Sequence, residues 1–334
     1  MHPAGAILGG LLWLAFLFIL PVGHAPVSLI APLLLFALLV LAPLILALPS
    51  ACDAPSISAE EGVGSGRSSG APFGDPLLQF ARALHPFAAV SAALSFLLEP
   101  GMWAGLFCSF WLLLALALAM HATIRIVRRG GRGPLREVAF DVGMLYLPIG
   151  AAWLLAARAG LTVMGFGGVI ALLTAVHFHY AGLTAATLAG LAGRQMPGAS
   201  TASLYRLATP AVLAGPILVA LGIAFSPLVE VVAALILATG VALLSGSVLV
   251  GVVPHLPSIP ARVLLTFWGM GSTIAMVLAV LYALATTLEA EFMNIPRMVL
   301  IHGLLNASAA LAGLMGWRLV YRDATSPRSP HGTT

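Results

Sequence analysis

The chain has 334 residues, 60% of them hydrophobic and only 8% charged, with a mean hydropathy of +1.06. Soluble domains carry about 25% charged residues, so this composition excludes one and describes an integral membrane protein. The net charge of +4 rests on fifteen basic residues, all of them arginine, and the longest basic string is one short loop between apolar runs. That arrangement makes the lipid bilayer the expected partner and gives nucleic acid nothing to bind.

A helix that crosses a bilayer needs about 20 apolar residues. It must also satisfy its own backbone hydrogen bonds, so long apolar runs in lipid are helices and not open strands. Runs cut at charges and at Pro/Gly clusters predict an all-α polytopic transmembrane helical bundle of about ten spans. These lie near 5–21, 27–49, 82–98, 103–121, 138–157, 161–190, 207–225, 228–251, 263–287 and 298–317. The first run lacks a basic flank and a small-residue cleavage site, and is read as a span, not a signal peptide. Residues 51–76, rich in Ser, Gly, Asp and Glu, predict a flexible loop, and 323–334 a disordered cytoplasmic tail. Residues 1–322 are expected to form a single bundle. Cys52 falls in the loop and Cys108 in a span, which argues against a structural disulfide and excludes a cysteine metal site.

Arginine placement tests the span count. Cytoplasmic loops are enriched in basic residues, and with both termini inside, thirteen arginines fall inside and only Arg158 and Arg297 outside. A missed helix would scramble that parity. The string from Arg125 to Arg136 then faces the inner leaflet, where it reads first as a topology determinant.

Polar residues at membrane depth are costly and point to function. In the sixth span, Thr174-Ala175-Val176-His177-Phe178-His179-Tyr180 places two histidines about 200° apart around an α-helix. They cannot share one metal unless the helix is broken there. His177 lies on a polar stripe with Thr174 and Tyr180, whereas His179 needs a partner on another helix. The tenth span brings His302 and Asn306 onto one face, four residues apart, below Glu291, Asn294 and Arg297. Arg297 is read as the interfacial partner of Glu289 or Glu291. Asp141, a turn inside the fifth span, is expected to be paired, with His121 or Arg136 as the natural partners and a proton relay through Asp141 and His121 as the functional version. His85, beside Pro86, carries less weight. For each of these histidines the bland alternative is a neutral ring hydrogen-bonded between helices.

Several strings resemble the YndJ-like bacterial membrane proteins. They are Leu173 to Gly182 with Gly165-Phe166 before it, Met298 to Ala307, Ala31 to Pro49, and Leu84-His85-Pro86-Phe87-Ala88-Ala89. Leu183 and Ser308 depart from the family's frequent Phe, a change in packing more than polarity. The resemblance implies the same architecture in a bacterial cytoplasmic membrane, crossed several times, and singles out His177, His179, His302 and Asn306, but no reaction.

Three functions fit. A carrier of a small or lipophilic solute would line its site with His177, His179, Tyr180, His302 and Asn306, and Pro148, Pro210 and Pro216 would kink its spans. An intramembrane enzyme acting on a lipid or isoprenoid would use histidines as acid and base, or His177, His179 and His302 as metal ligands. A structural or assembly protein would use every polar residue for packing. No Gly-rich phosphate loop ending in Lys, His-Glu-x-x-His string or Gly-x-Ser-x-Gly elbow is present, so the usual residues for ATP hydrolysis, zincin proteolysis and serine hydrolysis are missing.

Overall fold

The computed structural model describes residues 4–20, 26–48, 76–196 and 199–325. Among them the chain is helical, with no strand beyond an isolated bridge between Val163 and Phe166. The helices are α1 (Ala4–Ile19), α2 (Ile30–Ala47), α3 (Pro76–Leu97), α4 (Met102–Arg128), α5 (Leu135–Arg158), α6 (Gly168–Arg194), α7 (Ser200–Phe225), α8 (Pro227–His255), α9 (Ile259–Thr287) and α10 (Ile295–Arg322). All but α1 are long and apolar enough to cross a membrane, and α1 has 16 residues. The protein is an all-α, multi-pass membrane bundle.

Helix ends differ from the sequence reading for identifiable reasons. The fourth helix runs past His121 to Arg128, because basic side chains in a last turn complement the negative end of the helix dipole. The sixth starts at Gly168 and not near residue 161, because Gly160, Met164, Gly165 and Gly168 all have positive φ and build a turn. Pro86, Pro148, Pro210 and Pro216 lie inside continuous helices. Residues 51–75 of the expected loop and 326–334 of the expected tail lie outside the described residues, while Pro76 opens α3 and the last helix continues to Thr325.

The chain forms two compact units, residues 1–190 and 191–334. In the first, α2 is the core: 83% of its residues are buried, against 33–56% for the other spans. Its sequence from Ile30 to Ala47 holds no polar side chain, so burial on all sides is what its composition dictates. In the second unit the core is built where Leu237 of α8 meets Ala275 and Met276 of α9, with Val219 of α7 and Leu305 of α10 packed on them.

Candidate functional site

In the first unit the polar side chains of the surrounding helices converge on the backbone of α2. Trp13 Nε1 of α1 donates to Pro32 O at 2.8 Å, and Tyr180 Oη of α6 to Leu33 O at 2.9 Å. From α3, His85 Nε2 donates to Leu38 O at 3.0 Å and Arg82 Nε to Leu46 O at 3.0 Å. Pro43 explains the Leu38 bond. Residues 37–41 are wound as a π-helix, in which each N–H reaches five residues back, as Ala42 N does to Ala37 O. The next bond would run from residue 43 to Leu38 O, but proline has no N–H. His85 fills that vacancy. Beside it the Leu39 carbonyl meets the bare Cα of Gly9, where an added Cβ would sit 1.7 Å from the oxygen.

A second π stretch, Phe178–Thr184, holds His179 and Tyr180. His179 Nδ1 bonds Ala175 O at 2.7 Å, and Trp111 Nε1 of α4 donates to His179 Nε2 at 2.9 Å. A carbonyl only accepts and an indole N–H only donates, so His179 is the neutral ring protonated on Nδ1. Thr184 Oγ1 donates to His179 O at 2.9 Å, so side chains satisfy the carbonyls that the wide turn leaves open. Trp111 also stands edge-on to His85, with centroids 5.9 Å apart. His85, Trp111 and His179 thus form one buried group from α3, α4 and α6, all at most 7% exposed. Gly150 of α5 makes room for it: a Cβ there would lie 2.8 Å from His179 Nδ1. His177 is half-buried, its ring edge-on to Phe178 at 5.3 Å.

Asp141 is fully buried and held by Arg125 of α4 and by Arg129, the residue that follows its end, not by Arg136. Arg125 Nε lies 2.9 Å from Oδ1 and Arg129 Nη2 donates to Oδ2, while Arg125 Nη2 also pairs with Glu137 Oε2 at 2.9 Å. His121 is buried on α4, one turn before Arg125. The guanidinium pair makes Asp141 the anchor of the α4–α5 hairpin.

In the second unit, His302 sits in a third π stretch, Met298–Gly303. Its Nδ1 bonds Ala275 O of α9 at 2.7 Å, and Asn306 Nδ2 bonds its Nε2 at 2.9 Å. The acceptor-only carbonyl again fixes the Nδ1-protonated ring. His179 and His302 therefore lie in different units, and in each the lone pair a metal would need is already taken. Among the described residues no three His, Cys, Asp or Glu gather as metal ligands. Arg297 does not pair with Glu289 or Glu291; its Nη1 donates to the carbonyls of Glu291 and Phe292 at 3.2 and 2.7 Å. Arg158 likewise donates to Ser95 O at 2.9 Å, closing the end of α3.

Beside the first π stretches lies a small pocket of about 20 Å³ among α2, α4, α5 and α6. Leu46, Leu118, Met144, Leu147 and Leu183 are among its walls, and the polar lining residue, Thr187, gives its hydroxyl to Leu183 O at 2.8 Å.

A family model of YndJ-like proteins matches residues 32–310, from the start of α2 through the His302 and Asn306 turn. The chain belongs to the YndJ-like family. The uncharacterized membrane protein YndJ of Bacillus subtilis (strain 168) is 29% identical over 240 residues, 70% of this chain and 41% of that protein. The chain thus spans about two fifths of the length of this curated relative. No solved structure matches it. In this YndJ-like chain, sequence reasoning passed over Trp111 and Glu137, read Arg125 and Arg129 as topology determinants and not as the partners of Asp141, and underweighted His85. The prolines of an otherwise featureless α2 were the available signal, since each removes an N–H and leaves a carbonyl for another helix to satisfy.

Proposed function

We propose that this YndJ-like protein resides in the bacterial cytoplasmic membrane and carries a small, uncharged, lipophilic solute through the unit of residues 1–190. The observation that supports this reading is the pocket lining, which is almost all carbon, its one hydroxyl giving its proton to Leu183 O within its own helix. Around it, His85, His179 and Tyr180 direct their polar atoms to backbone carbonyls or to Trp111. A charged or hydrogen-bonding solute would enter without partners, at a cost of several kcal/mol. A lipophilic one loses nothing. Small as the pocket is, its walls are flexible Leu and Met side chains, and the π stretches 37–41 and 178–184 adjoin it. Such turns are found at functional sites, where a helix shifts its register. Carriage is favoured over acid–base chemistry because protonating His179 would break its bond from Trp111.

Thermal unfolding of the detergent-purified protein against paired neutral and charged compounds of one carbon skeleton tests this. Neutral members should raise Tm in a concentration-dependent way, and Leu147→Trp, which fills the pocket, should abolish the rise. Stabilisation by the charged members alone would overturn the proposal.

A further inference from the structure

The turn joining α4 to α5 holds five arginines within residues 125–136, and only two of them are neutralised. Arg125 and Arg129 take both nearby carboxylates, Glu137 and Asp141. Arg128, Arg132 and Arg136 have no ion-pair partner among the described residues; the first two are exposed and the third is half-buried. Gly130 and Gly131, at φ +65° and +72°, fold the chain back tightly, so Arg128 at the end of α4, Arg132 in the turn and Arg136 at the start of α5 flank one tight connection. Arg136 also occupies the second position of α5, where the helix dipole opposes a cation; Pro134 O accepts from the N–H groups of Glu137 and Val138, which leaves those of Leu135 and Arg136 to an outside acceptor. An anion bound there would relieve both.

The surroundings select a lipid as the source of that anion. At 27 residues, α4 is roughly 40 Å long and exceeds the hydrocarbon core of about 30 Å, so its end stands in the headgroup layer. Val127, in its last turn, is 70% exposed and offers an apolar contact one residue from Arg128. We propose that the 128–136 turn binds the phosphate of an anionic phospholipid, with Arg128, Arg132 and Arg136 as donors and Val127 against the first acyl carbons. Guanidinium suits this task because its planar fork grips two phosphate oxygens at once. The site is separate from the pocket of the proposed carrier function and stands without it.

The test places the full chain in nanodiscs of equal phosphatidylcholine and phosphatidylglycerol and counts retained lipids by native mass spectrometry. The wild type is expected to retain phosphatidylglycerol preferentially, and the R128Q/R132Q/R136Q variant to lose roughly tenfold of that preference. Because removing three charges risks misinsertion, R128K/R132K/R136K keeps the charge and is expected to hold the lipid measurably less well than arginine. No preference in the wild type would overturn the proposal, as would an unchanged preference in the glutamine variant or, where that variant misinserts, lysine equal to arginine. Displacement of the lipid by millimolar inorganic phosphate would make the site a free-anion site and overturn the lipid assignment.

Discussion

His179 and His302 solve the same problem in the same way. Each gives its Nδ1 proton to a backbone carbonyl and receives a side-chain N–H at Nε2, which holds a costly polar ring neutral inside the membrane. Solid-state NMR of ¹⁵N-histidine protein should show both rings as the Nδ1-protonated tautomer, and a charged ring at either position at neutral pH would contradict the geometry. Trp111→Phe should lower stability by about 1–3 kcal/mol, since it leaves a buried acceptor unpaired; a denaturant midpoint equal to wild type would mean the bond has no net value. Asp141→Asn should cost more, about 3–5 kcal/mol, because Arg125 and Arg129 lose their counter-charge in a site where Asp141 is wholly buried. The need of His179 for a partner on another helix was legible in its surroundings. Trp111 was not, because it lies 68 residues away and no local spacing links the two.

At the scale of the helix, α2 is a hydrogen-bond hub without a polar side chain. Its prolines and π turn expose carbonyls, and α1, α3 and α6 supply the donors. The vacancy left by Pro43 can be tested by a double-mutant cycle. His85→Phe should cost about 1–3 kcal/mol in the wild type but clearly less in a Pro43→Ala background, where an alanine N–H can reach Leu38 O. Additive effects would sever the link between Pro43 and His85. Gly9→Val should detach α1 from α2, read as protease sensitivity near the N-terminus, since the Leu39 carbonyl cannot yield to a side chain 1.7 Å away. The spans themselves were legible, because long apolar runs in lipid have few other solutions. The π stretches were not: their register depends on donors from other helices, which hydropathy does not record.

For the whole molecule, the arginine distribution predicts both termini in the cytoplasm, and the two exceptions have a local cause. Arg158 donates to a carbonyl at the end of α3 and Arg297 to carbonyls of the turn between α9 and α10, so their side chains serve the fold and are not free to set topology. Reporter fusions at either end should report the cytoplasmic side; opposite sides would require an odd number of crossings and contradict the ten-span reading. His85, Trp111, His179, Tyr180 and Thr187 give their polar hydrogens to groups of the protein itself, which leaves the pocket beside them open to apolar matter. The most direct test is photolabelling in proteoliposomes with a small neutral diazirine hydrocarbon, followed by mapping of the adducts. Adducts are expected at Leu118, Met144 or Leu147, lost on addition of an unlabelled neutral competitor and unaffected by a charged analogue. Labelling confined to lipid-facing residues such as Leu113 and Leu116, with no competition, would contradict it.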